Sequence, residues 1–347
     1  MKGRQIIIGA LFGREAAALF EDGRLEDLAL DPGDAVAFAP GAILRGKVNR
    51  LVKGQGGVFV TLPDGANGYL RDRSRLREGQ PVLVQVSGVA EPGKAVPLST
   101  RLLLRGRFGI VTPGVPGVNV SRAIHDPDRR AGLEALGAEV IPDEGTGLIL
   151  RSAAADADDA EIRAELEQLV SIDTSMSGDE AGPPELLLDA PSPTETAWRD
   201  WAEPPPDSVE EIAELPDHAA DAVRALLSPR VDLPGGAFAM IEPTRALVAI
   251  DVNTGPDHSP AAGLKANIAL ARDLPRQLRL RGLGGQVVID FAPISKRERG
   301  TLEQEMRKAF RRDGRDAVLT GWTSLGLFEM TRKRDRAALS RLLKEEP

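Results

Sequence analysis

Two apolar runs in the last third of the chain each finish on an aspartate: ALVAIDVNTG, residues 246–255, and GGQVVIDF, residues 284–291. Each is short, rich in aliphatic residues and bounded by glycine, so each reads as a buried strand. Between them lies GLKANIALARDLPRQLRLRGLG, a largely helical pattern in which Pro275 is expected as a break or a first-turn residue. Strand, helix, strand implies a sheet with a helical crossover. If the two strands are parallel neighbours, Asp251 and Asp290 lie together at their carboxyl ends, where α/β sheets form ligand sites.

Neighbouring carboxylates repel one another unless a cation sits between them. The chain has no Cys and only His125, His218 and His258, so a hard, oxygen-ligand site suits it best. Magnesium is the natural occupant, with manganese as its substitute. Asn253, two residues past Asp251, can hydrogen-bond a carboxylate or a metal-bound water. A divalent ion held there can activate a water and offset charge on a phosphodiester. Lys296, Arg297 and Arg299 follow Asp290 closely, and Arg332, Lys333 and Arg334 come later. These basic clusters could serve such a substrate or be ordinary solvated surface.

The remainder of the chain is organised differently. Residues 1 to about 35 suggest strands joined by tight turns around Gly13 and Gly23. Gly13-Arg14-Glu15 interrupts the first apolar stretch, which argues against a signal peptide. From Gly41, short alternating strands separated by glycine turns suggest a small closed antiparallel barrel. Residues 171–207 are rich in Asp, Glu, Pro and Ser and are expected to form a loosely ordered connector, with a short helix after it from Asp217 to Leu227. Charge is uneven: residues 116–235 carry 8 Lys/Arg against 27 Asp/Glu, whereas residues 236–347 carry 20 against 14. The net charge of -8 therefore says little about any one face. No apolar run reaches the roughly 18 residues of a membrane span, so a soluble, cytoplasmic protein is the expectation.

The stretch from Gly235 to Arg334 closely resembles the catalytic domain of the bacterial ribonuclease E / ribonuclease G family, through IDVNTG, NIALARDLPRQLRLRGLGGQVVIDF and GLFEMTRKR in the same order. The resemblance implies a DNase I-like fold in which Asp251 and Asp290 hold magnesium and Asn253 orients one of them. It also implies cleavage of single-stranded RNA to 5′-phosphate and 3′-hydroxyl products. LRGKVNRLVKGQGGVFVTLPDGANGYLRDRS resembles the family's S1-type domain, an OB fold. There Phe59 and Tyr69 would stack on unpaired bases while Arg45, Lys47 and Arg71 follow the backbone. Alternation by itself leaves Phe59 divided between the barrel interior and its outer face. GLILRSA is similar to the family's 5′-phosphate sensor. Arg151 would pair with a terminal monophosphate, Ser152 would donate a hydrogen bond, and Gly106 and Ile110 would line the pocket. Lys296, Arg332 and Arg334 complete the expected RNA contacts.

The expected architecture is a multidomain α+β and α/β chain. Residues 1–38 would supply N-terminal strands of an RNase H-like region, 39–97 the barrel, and 98–170 the sensor region. Residues 171–234 would form the acidic connector or a shortened RNase H-like remnant, and 235–347 the catalytic domain. The family's zinc-binding cysteine pair after GLFEMTRKR is absent, so no zinc is expected, and the chain is expected to be a monomer or a dimer formed by another surface. An acidic residue usual after Gly255 is missing, and Ser324-Leu325 replaces the family's Arg-Phe. A slower or narrower enzyme is expected from these departures. The alternative is an RNA-binding protein of the same ancestry with weak or lost cleavage. The acidic middle as a holder of a basic partner, and DNA as the substrate, also stay open.

Overall fold

The computed structural model describes residues 3–51, 56–71, 76–141, 145–178 and 181–343. Residues 179–180 of the expected acidic connector lie outside the described residues. The chain divides into two compact units: residues 1–23 with 29–213, and residues 24–28 with 214–347.

In the first unit, β1 (Arg4–Leu11) and β2 (Arg14–Glu21) form a hairpin; β3 (Arg24–Leu30) begins in the segment 24–28 that belongs to the second unit. The turns fall at the expected glycines, Gly13 with φ 69° and Gly23 with φ 79°, where a side chain would be strained. The five-stranded barrel is built from β4 (Ile43–Leu51), β5 (Val58–Thr61), β6 (Asn67–Leu70), β7 (Pro81–Val86) and β8 (Val96–Ser99). It closes through β4–β7, with β6–β8 as its parallel pair. Strand alternation turns Leu44, Val48, Val58, Val60, Leu70, Val84 and Leu98 inward to a buried core. This is an OB-fold barrel of the S1 type.

A second sheet runs β11 (Gly117–Val120), β12 (Thr146–Leu150), β10 (Gly109–Pro113), β9 (Leu104–Arg105). It packs with α1 (Pro127–Val140) and α2 (Asp159–Ser177) around Leu133, Leu148, Ile162 and Leu166. Residues 171–207, expected to be loosely ordered, hold the end of α2, then β13 (Glu185–Leu188) and α3 (Pro193–Asp200). The reason is local and long-range at once. Ser192 and Glu195 form a capping box that starts α3, and ELLL pairs with β4 as an added barrel strand. The first sheet takes β14 (Ser208–Glu214) beside β1, and α3 packs on it through Ala197 and Trp201.

The second unit is a six-stranded sheet in the order β15 (Arg230–Asp232), β16 (Phe238–Pro243), β17 (Val248–Asn253), β18 (Gly285–Asp290), β20 (Phe328–Arg332), β19 (Ala317–Trp322). Its helices are α4 (Asp217–Ala225), α5 (Ala262–Leu280), α6 (Lys296–Asp313) and the short α7 (Leu339–Leu342). Only β17 and β18 are parallel, and α5 is their crossover. Pro275 does not break α5. Leu270, Leu274 and Leu278 bury one face of that helix completely, and this packing outweighs the one backbone hydrogen bond that proline removes. No helix among the described residues is long and apolar enough to cross a membrane.

Candidate functional site

In the parallel pair, Asp251 stands directly opposite Asp290. Neighbouring strands lie about 4.8 Å apart, so the two carboxylates share one edge of the sheet. Both are exposed, and among the described residues no lysine or arginine pairs with either. Asn253 lies on the same strand two residues on, and its Nδ2 donates to Asp251 Oδ2 at 2.7 Å. The expected trio is therefore brought together. Gly255 turns the chain away just beyond it with φ 61°, and a Cβ there would lie 2.1 Å from the Gly236 carbonyl oxygen.

The donor set fits a hard divalent ion. Two anionic carboxylates with no counter-charge, one of them oriented by an amide, offer only oxygen, which magnesium and manganese prefer. Among the described residues no group of three or more His, Cys, Asp or Glu is gathered for a metal.

A residue whose role the sequence did not reveal holds this edge in place. Asn267, fully buried on α5, donates from Nδ2 to the Ala292 carbonyl at 2.9 Å and accepts from the Ala292 amide at 3.0 Å. It clamps the backbone two residues past Asp290. Asn267→Leu is expected to leave both groups of Ala292 unpaired in the interior and to cost about 2–3 kcal/mol, measurable by chemical denaturation. Beside the clamp, Phe291, Trp322 and Phe328 form an aromatic cluster, with the Arg299 guanidinium 4.3 Å from the Trp322 ring.

The basic residues expected around the aspartates divide by position. Lys296 is exposed at the start of α6, just after Asp290. The hairpin turn carrying Ser324 and Leu325 also lies at this end, because Ile289 pairs with Phe328; Leu325 is 89% exposed there. Arg332 and Arg334 are at the opposite end, since Arg332 pairs with Gly285 at the start of β18. Five residues of strand separate them from Asp290, roughly 16 Å. Arg332 is moreover buried at 4% exposure, with Nη2 2.9 Å from the Asp313 carboxylate. Arg334 lies over Gly285. The role of Arg332 as an RNA contact is corrected: its charge is spent inside the unit.

On the barrel, Phe59 and Tyr69 pair across β5 and β6 and face outward, between the inward-facing Val58, Val60 and Leu70. Both are half-buried, because each covers the other, edge to face, with ring centroids 5.7 Å apart. Phe59 is therefore on the outer face and outside the barrel core. Lys47 is exposed on β4, and Arg71 is exposed just after β6. Arg45 differs from expectation. It is 3% exposed, donates from Nε to the Pro183 carbonyl at 2.7 Å, and pairs with Glu185 on β13. Because β13 docks along β4, this arginine ties the added strand to the barrel and cannot follow a nucleic-acid backbone.

At the sensor-like block, Arg151 and Gly106 meet: Arg151 Nη1 donates to the Gly106 carbonyl at 2.5 Å. Ser152 is exposed one residue on, and Ile110 lies on β10 opposite Ile149. The guanidinium of Arg151 also donates to the Arg199 carbonyl and to Asp200 of α3, at 3.1 and 3.2 Å.

The family model described as "Ribonuclease E/G family" matches residues 103–213 and 216–335. Ribonuclease E of Nostoc sp. is 30% identical over 390 residues, covering 95% of this chain and 56% of its own length. Ribonuclease E of Synechocystis sp. is 28% identical, with 95% and 57% covered. Ribonuclease G of Haemophilus influenzae is 28% identical, with 95% and 79% covered. The chain spans little more than half the length of the two ribonuclease E proteins.

Proposed function

The chain belongs to the ribonuclease E/G family, and we propose that it is a magnesium-dependent endoribonuclease that cuts single-stranded RNA to 5′-phosphate and 3′-hydroxyl products. The observation that carries this reading is the register of Asp251 opposite Asp290 in a parallel pair, with Asn253 bonded to the first. The second unit then acts as a DNase I-like catalytic domain. Residues 98–170 act as a 5′-sensor region, and the N-terminal strands with α3 and β14 as a reduced RNase H-like region.

In this reading Asp251 and Asp290 hold the ion, and manganese substitutes for magnesium. When bound there, the ion supplies an acidified water and an electrophile for a phosphate oxygen. The chain's own residues do the rest. Asn253 takes up one oxygen of Asp251 and so sets the orientation of that carboxylate. Asn267 keeps the exit of β18, and with it Asp290, in place. Lys296, exposed at the start of α6, adds positive charge for the RNA backbone. In hydrolysis a water oxygen bonds to phosphorus as the bond from phosphorus to the 3′ oxygen breaks; that oxygen leaves as a hydroxyl once protonated, and the phosphate stays on the 5′ oxygen of the downstream product.

The barrel holds the strand by its outer aromatic pair. Tyr69→Ala is expected to weaken binding of an unstructured RNA about tenfold, within the 1–3 kcal/mol that one base stack contributes. Fluorescence anisotropy in EDTA measures it, and an unchanged affinity would take the barrel face out of the interface. The whole reading is tested with a 5′-labelled, unstructured RNA incubated with magnesium and with EDTA. Cleavage only with magnesium is expected, with products whose 3′ ends a polymerase can extend. RNA that stays bound and intact with magnesium and with manganese would leave an RNA-binding protein, a reading that the outward Phe59–Tyr69 pair supports.

A further inference from the structure

In the first unit two guanidiniums close on a single carboxylate. Arg199 donates from Nε and Nη2 to the two oxygens of Asp200, at 3.1 and 2.7 Å. Arg151 donates from Nη2 to Asp200 Oδ1 at 3.2 Å, while its Nη1 is held by the carbonyls of Gly106 and Arg199. The carbonyls aim Arg151 through Nη1, and the carboxylate takes Nη2. Burial works to raise the Asp200 pKa, but Arg199 and Arg151 outweigh it, so the group is held below the ordinary carboxylate range and stays charged. The Asp200 side chain is 37% exposed, against 28% for Arg151 and 18% for Arg199. The carboxylate is thus the most open member of the cluster.

A carboxylate gripped by planar guanidinium forks occupies the place that a phosphate monoester takes in such forks. The helix that carries it has other anchors: Ala197 and Trp201 pack in the core beside β1 and β2, and the capping box secures its first turn. We propose that Asp200 is an internal counter-anion in an Arg151–Arg199 site for the terminal phosphate of an RNA, and that it suppresses preference for phosphorylated ends. A 5′-monophosphate must displace Asp200 to reach the arginines, whereas an end bearing a hydroxyl leaves the pair intact. This rests on the reading of the chain as an RNA-binding nuclease and names what sets its choice of RNA end.

The test is binding of a 3′-labelled, unstructured RNA carrying either a 5′-monophosphate or a 5′-hydroxyl, measured by anisotropy on the full chain in EDTA. Native protein is expected to hold the two within about twofold of each other. Asp200→Asn is expected to tighten the monophosphate form alone by about tenfold, the worth of one charge-assisted hydrogen bond. Asp200→Ser repeats the test with a side chain too short to pair with both arginines. Adding Arg151→Ala to either variant should return the ratio to that of the native chain. A ratio unmoved in a folded Asp200 variant, or a native chain that already favours the monophosphate tenfold, overturns the proposal. A purely structural ion pair would change the melting temperature and leave the ratio alone. Because the readout needs no cleavage, the two readings fail separately. RNA left intact with magnesium while the ratio shifts removes the nuclease alone. Cleavage with an unshifted ratio removes the role of Asp200 alone.

Discussion

Asp290→Asn is expected to slow magnesium-dependent cleavage of unstructured RNA by about 10³-fold while leaving RNA affinity in EDTA unchanged. The direction of the stability change separates a metal-holding role from a structural one. Asp290 is exposed at the end of β18, opposite Asp251, with no cationic partner among the described residues. Removing one of two facing like charges should therefore hold or slightly raise the melting temperature in EDTA. Magnesium should raise the melting temperature of the native chain, since an ion that binds only the folded state stabilises it by mass action. That rise should vanish in the variant. Asn253→Ala should fall between the two, with about a tenfold loss of rate, because it removes the orientation of Asp251 and keeps both carboxylates. A native chain whose melting temperature ignores magnesium, together with a variant that cuts RNA at the native rate, would remove the aspartate pair from the chemistry.

Asp27→Ala is expected to destabilise the second unit by about 3 kcal/mol, because it removes the buried carboxylate that three half-buried guanidiniums share. The segment 24–28 belongs to that unit, and Asp27 is 6% exposed there. Arg336 pairs with both of its oxygens, while Arg279 and Arg315 each stand 3.5 Å away. Burial alone would raise the Asp27 pKa, yet the charges of Arg336, Arg279 and Arg315 hold it at about 2 against an ordinary 3.8. The folded value is depressed, so this stabilisation is fully present above about pH 4 and is lost as pH falls toward 2. The shift corresponds to about 2 kcal/mol. Denaturation midpoints of the native chain should therefore drop between pH 4 and pH 2 more steeply than those of Asp27→Asn, which lacks the titrating group. Equal slopes would mean that the arginines find other partners.

The same network explains why some basic residues were misjudged. Arg332 meets Asp313, which also pairs with Arg279, and Arg279 reaches Asp27. In the sequence, Arg332 stands in a run of basic residues indistinguishable from the one at Lys296. Strand register separates them, since β20 runs antiparallel to β18 and carries Arg332 away from the aspartates. Arg45 and Lys47 are two residues apart on one strand, yet β13 takes the first from a position 140 residues away and leaves the second in solvent. The acidic stretch was misread for a related reason. Its composition resembles that of a linker, but the capping residues of α3 and the apolar island of β13 are local signals that become decisive once a sheet and a barrel edge are there to receive them.

What the sequence by itself determined is whatever depends on short-range periodicity. Apolar runs bounded by glycine make the strands, and an aspartate at the end of such a run must emerge at the edge of a sheet, whereas the outward face of Phe59 was decided only by its pairing with Tyr69 across β5 and β6. The helical crossover follows as well, because a helix between two buried strands leaves few other ways to connect them, while the parallel pairing of β17 with β18 came from the structure. What only the tertiary structure decided is the partner of each charge. Arg151 lies 49 residues from Asp200, and Arg336 lies 309 residues from Asp27. No local pattern encodes such distances; chain topology brings these groups together, and the energy of an ion pair depends on separation and burial in space.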